Sequence, residues 1–266
     1  MDGSTAWQPV PEPTVELDVF TPPTQRRWTV LIRLILAIPQ LIVVWALGLA
    51  ATVVAIIGWF AALFTGALPP WCGDFLRSYL AYSTRVMAYL MLMVDVYPPF
   101  TMDVAVDHPV RVWFPAPTPL NRMAVLFRFF LALPILLLTA WFVSGWMVIS
   151  LILWLIVLIM GRMPDTIFQA TAAVLRNQVR TESYWYMLTP TYLKGVFGDG
   201  PAPIASTDMP PGYAAASPTR PLLVSQGARI LLWVILVLGV LSSFTQGASG
   251  SRSNDDEYSM VGTSQR

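Results

Sequence analysis

Charge is the scarcest property of this 266-residue sequence, at 12% of its residues. A water-soluble domain carries about 25%. Half that share cannot coat a globule of this size, so an entirely soluble fold is excluded. Lysine is almost missing, with Lys194 the single example among 16 basic residues. One cysteine, Cys72, excludes an internal disulfide, and one histidine, His108, cannot complete a thiolate–imidazole metal site with it. The net charge of +1 lacks the basic excess that nucleic acid demands. No phosphate-cradling glycine loop, nucleophile elbow or zinc-helix motif occurs, and no acidic pair sits in an apolar run. We therefore expect no enzyme, no cofactor and no metal.

What is present is grease in a repeating order. Hydrophobic residues make up 56% of the chain, mean hydropathy is +0.61, and there are 11 Trp and 9 Tyr, residues that favour membrane interfaces. Arg27, Arg33, Pro39, Trp59, Gly66, Pro69, Arg85, Tyr89 and Tyr97 recur as Arg122, Arg128, Pro134, Trp154, Gly161, Pro164, Arg180, Tyr184 and Tyr192, each 95 positions on. With the apolar matches there are 18 identities in 71 ungapped positions, and apolar bias cannot align Arg, Pro, Trp, Gly and Tyr in one register. The chain contains a tandem duplication. Upstream of each copy, VELDV (Val15 to Val19) and VRVWF (Val110 to Phe114) alternate like short strands. FTMDVAV (Phe100 to Val106) would pair with the latter through a turn at Asp107-His108-Pro109.

Trp28 to Phe64 and Met123 to Met160 are nearly unbroken apolar sequence. Some 37 residues of helix would reach ~55 Å, well beyond a ~30 Å hydrocarbon core. Either each run folds into a hairpin of two short crossings, or an interfacial helix precedes one crossing at the proline. Hairpins turning near Gly48 and near Ser144-Gly145 carry no charge across and leave the arginines on one side, which the positive-inside rule favours. Gly-x-x-Pro turns, GALP and GRMP, should stop the helix at Gly and open the next at Pro. The helices that follow, Asp74 to Val94 and Asp165 to Leu188, read as amphipathic and interfacial.

The expected fold is thus an all-α integral membrane protein. It comprises two tandem repeats, each a helical hairpin plus an interfacial amphipathic helix, short β-strands at the cytoplasmic face and a C-terminal transmembrane helix. Residues 1–24 form a polar N-terminal segment with a strand, 25–99 the first repeat, 100–120 a short β linker and 121–197 the second repeat. Residues 198–221 are a flexible linker, 222–244 the last crossing and 245–266 a disordered tail. The N-terminus is placed in the cytoplasm and the C-terminus outside.

Candidate contact residues are all arginines. Arg33 and Arg128 lie inside apolar runs, where a charge invites a lipid phosphate or a partner's carboxylate, though snorkelling is the simpler account. Arg85, Arg180 and Arg176 on the amphipathic helices suit anionic lipid, or are solvated polar-face groups. Asp95 has Pro190 as its counterpart, so no role for it is shared by both copies.

RRWTVLIRLILAIP, GWFAALFTGALP and RVMAYLMLMVDVYPPF resemble a bacterial membrane family, the domain of unknown function DUF4389. RMAVLFRFFLALP with WLIVLIMGRMP is similar but has lost the YPPF ending. The resemblance covers about Val15 to Tyr192 and implies a bacterial, actinobacterial-type inner-membrane protein, with no activity attached. The functional expectation is an accessory or scaffold subunit of a cell-envelope complex. Its partners would be anionic lipid and either a protein partner or itself, with a small transporter or channel as the alternative.

Overall fold

Glycine and proline punctuate the chain where the repeat places them. In a computed structural model, which describes residues 14–20, 24–104, 107–199 and 217–263 with side chains to residue 245, Gly66 and Gly161 end long helices at φ +78 and +68. That left-handed conformation is cheap only without a Cβ. Pro69 and Pro164 stand at the N-caps of the next helices. In chain order the elements are β1 (Glu16–Val19), α1 (Arg27–Thr65), α2 (Pro70–Leu90), β2 (Val110–Trp113), α3 (Arg122–Leu126), α4 (Arg128–Met160), α5 (Asp165–Trp185) and α6 (Gln226–Thr263). Three of these, α1, α4 and the Gln226–Thr245 part of α6, are long and apolar enough to cross a membrane. The expected all-α membrane class therefore stands in its coarse form.

The hairpins inside the apolar runs do not form. Helix α1 continues through 39 residues and α4 through 33, because Pro39 and Pro134 each remove only one ladder hydrogen bond and no turn follows. Gly48 and Gly145 are points of close approach, not turns. A Cβ on Gly48 would lie 3.1 Å from the Tyr79 hydroxyl, and one on Gly145 only 1.7 Å from the Ile235 carbonyl oxygen of α6. The limb that doubles back is the following helix. Along α1 and α2, Gln40 bonds Tyr82 and Arg33 bonds Tyr89; along α4 and α5, Trp146 bonds Thr171 and Thr139 bonds Thr181.

The two copies close around a pseudo-twofold axis. The Gln25 N–H donates to the Gly161 carbonyl at 2.8 Å, and Leu120, 95 positions on, donates to Gly66 at 2.8 Å. Trp59 donates to the Val125 carbonyl at 2.9 Å, and Trp154 to Val30 at 2.8 Å. Each long helix begins where the other ends, so α1 and α4 run antiparallel end to end. β1 and β2 pair antiparallel with Leu17 opposite Val112, positions also 95 apart, which puts the axis through that pair. The strands therefore pair with each other, and residues 100–104 form no strand beside β2. Residues 105 and 106 of that expected hairpin lie outside the described residues.

Helices α2 and α5 lack the solvated polar face expected of them. Their polar as well as apolar residues are buried, among them Arg85, Arg176, Asn177 and Arg180, and they form the interior beneath the strands. The exposed apolar surface belongs instead to α1, α4 and α6, which present Trp28, Ile35, Trp45, Phe60, Phe130, Leu151 and Trp233. The linker is anchored at both ends. Asp199 accepts the Leu222 N–H at 2.9 Å, and Thr219 donates to the Leu17 carbonyl at 2.6 Å. Its middle, 200–216, lies outside the described residues. Helix α6 is traced through Thr263, past the expected end of order, and the side chains beyond residue 245 are outside the described residues.

Candidate functional site

Arg33 and Arg128 are geometric twins. Arg33 donates from Nη1 to the Tyr89 carbonyl at 3.1 Å, and Arg128 from Nε to the Tyr184 carbonyl at 2.7 Å. Each guanidinium covers that tyrosine's ring, 4.5 and 4.2 Å from the centroid. A second tyrosine, Tyr97 or Tyr192, meets the ring edge-on, and its hydroxyl donates at 3.2 Å to the carbonyl of Leu36 or Leu131. Those carbonyls adjoin the ones that Pro39 and Pro134 leave without a donor. Snorkelling is corrected by burial. Arg33 is 1% exposed and Arg128 4%, so both heads are held by protein.

The twins differ in their counter-ion. Asp95 accepts Arg33 Nη2 at 2.9 Å and the Thr29 hydroxyl at 2.6 Å, neutralising the cation. Position 190 offers only proline. Arg128 uses Nη2 on the Thr189 carbonyl at 2.7 Å, and among the described residues it has neither a carboxylate nor an acceptor for Nη1. It opens on a cleft of about 310 Å³ lined by Thr52 and Trp59 of α1, Phe129 of α4, and Trp185 and Met187 at the end of α5.

The other candidate arginines are engaged within the fold. Arg180 donates to Glu16 Oε1 at 3.0 Å and to the carbonyls of Val15 and Lys194. Arg176 pairs with Asp199 and donates to the Gly195 carbonyl at 2.7 Å, and burial, reinforced by Arg180 alongside, brings its guanidinium down to about 10. Arg85 donates to the carbonyls of Thr101 and Asp103 at 2.7 and 2.8 Å. None of the three presents a free guanidinium to lipid. Among the described residues no three His, Cys, Asp or Glu side chains come together as a metal site.

His108 is a structural histidine with a pH consequence. Its Nδ1 accepts the Val110 N–H at 3.1 Å, and burial, with Arg85 nearby, pushes its pKa below the ordinary 6.5. Below that ordinary value the unfolded chain takes up a proton that the folded chain refuses, so stability falls as acid is added. Melts of detergent-solubilised protein from pH 7.5 to 5 should show this decline, and His108→Asn should flatten it by about one proton. An unchanged slope would rule out His108 as its source.

Sequence reading missed Asp95, Glu16, Asp199 and Met187. Only Asp95 left a signal, its mismatch with Pro190. Met187 and its twin Leu92 both adopt positive φ, +61 and +64, in positions where neither residue type announces it. No curated protein and no solved structure matches the chain. The sequence profile of the domain of unknown function DUF4389 matches residues 27–102 and 122–192, together more than half the chain and coincident with the two copies of the repeat. The chain belongs to that family, in two tandem copies.

Proposed function

We propose that this protein is a non-catalytic membrane subunit, an accessory or scaffold component of a bacterial cell-envelope complex that meets anionic lipid. The observation that carries this reading is the division of its surface. The apolar faces of α1, α4 and α6 are left open along their length, while the buried cations of the core are tied to carbonyls, carboxylates or tyrosine rings. Such a body offers broad greasy contact and little reactive chemistry. A transporter would need polar groups available along a path, and here Arg33, Arg176 and Arg180 are already neutralised by Asp95, Asp199 and Glu16. Extraction in mild detergent should recover the chain with a stoichiometric protein partner or retained anionic lipid. A lipid-free, partner-free monomer would overturn the proposal.

A further inference from the structure

We infer that the cleft beside Arg128 is a binding site for a single-chain anionic amphiphile, its head paired with the guanidinium and its chain against α1. The inference rests on the reading that α1 and α4 face lipid, and it names the ligand class that such a surface would take. Four observations converge on it. Arg128 is 96% buried, being 4% exposed, with no carboxylate among the described residues, and a buried cation without a counter-ion is costly. The repeat supplies an internal control, since Arg33 in the same cradle has Asp95 at 2.9 Å while the second copy has Pro190. The cavity, about 310 Å³, reaches the lower end of the range for small-molecule sites. Its walls include Ile56 and Phe129, which are half-exposed on the lipid-facing sides of α1 and α4, so a chain can enter sideways. Thr52, the one hydroxyl on the wall, is occupied by the Gly48 carbonyl. Recognition therefore falls to one charge and a dry groove.

The test uses the full chain in an uncharged detergent at pH 8, with stearic acid spin-labelled near its carboxyl end. Quenching of Trp59 and Trp185 should saturate. The methyl ester should bind at least tenfold more weakly, the size of a lost charge-assisted hydrogen bond. Arg128→Gln should lose the same factor. Because that variant also alters the packing on Tyr184, Pro190→Asp is the decisive second variant. It gives the second copy the carboxylate that the first already has, and it should abolish saturation while the protein melts no lower than the parent. Competition by lysophosphatidate would support the site and extend it to phosphate heads. Failure to compete, with the acid still bound, would support it for carboxylates alone. Equal binding of acid and ester, or undiminished binding by Pro190→Asp, would overturn the inference. So would displacement of Arg128 chemistry onto a partner, seen as binding only by an acidic transmembrane peptide. Recovery of a lipid-free, partner-free monomer would sink the subunit reading and leave these quenching results untouched.

Discussion

Asp95→Ala should destabilise the protein by about 3–5 kcal/mol, the cost of stranding a buried cation when its partner is removed. Arg33 is 1% exposed, and its guanidinium lies behind Asp95, which is 17% exposed on the wall of an open cleft. The substitution also releases the Thr29 hydroxyl and the Arg26 N–H, both of which Asp95 accepts at the start of α1. The diagnostic comparison is Arg33→Met with Asp95→Ala. Removing both charges should restore much of the loss, because an apolar side chain of similar size tolerates that site far better than an unpaired guanidinium. Unfolding by a denaturing detergent would measure all three proteins. If the double variant were as unstable as Asp95→Ala alone, the loss would come from the α1 cap and not from the stranded charge.

Gly145→Leu and Gly239→Leu should each detach α6 from α4, a loss of roughly 3 kcal/mol, the upper end of overpacking costs. The reason is backbone contact. A Cβ on Gly145 would stand 1.7 Å from the Ile235 carbonyl oxygen, and one on Gly239 would stand 1.8 Å from that of Trp141. No side-chain rotation relieves a clash with a main chain. Small residues at such crossings are how helices approach in lipid, where no hydrophobic force drives them together. The Ser144–Ser242 hydroxyl pair, 2.7 Å apart beside this crossing, should break with it. Gly48→Ala is the control. There the new Cβ meets only the hydroxyl end of Tyr79 at 3.1 Å, a group that can shift. Protease release of α6 from detergent-solubilised protein gives the ordering directly. Equal sensitivity of all three variants would refute backbone contact as the cause.

The stops at Gly66 and Gly161 and the starts at Pro69 and Pro164 were legible because a cap is a local event. So were the strands, whose alternation needs only four or five residues. The length of the two long helices misleads when set against a bilayer alone. A run of 39 residues can instead stay one helix with a neighbour packed along it, as α2 packs along α1. The polarity of α5 suggested a wet face. Polarity records only that a side chain wants partners, and the partners came from far along the chain, with Glu16 reaching Arg180 across 164 positions. Arg33 and Arg128 stand out in the sequence as charges inside apolar runs, yet their difference lies in Asp95, which shows there only as a mismatch with Pro190.

The exchange of terminal contacts between the copies has a further meaning. Gln25 completes the end of α4 and Leu120 completes the end of α1, so either half alone would leave its seams open and would need a second half to fill them. Two separate identical chains could satisfy every such seam, but they would have to carry the acid at position 95 on both sides or on neither. Joining the halves in one polypeptide is what lets a single lobe keep its arginine quenched while the other holds a live positive charge.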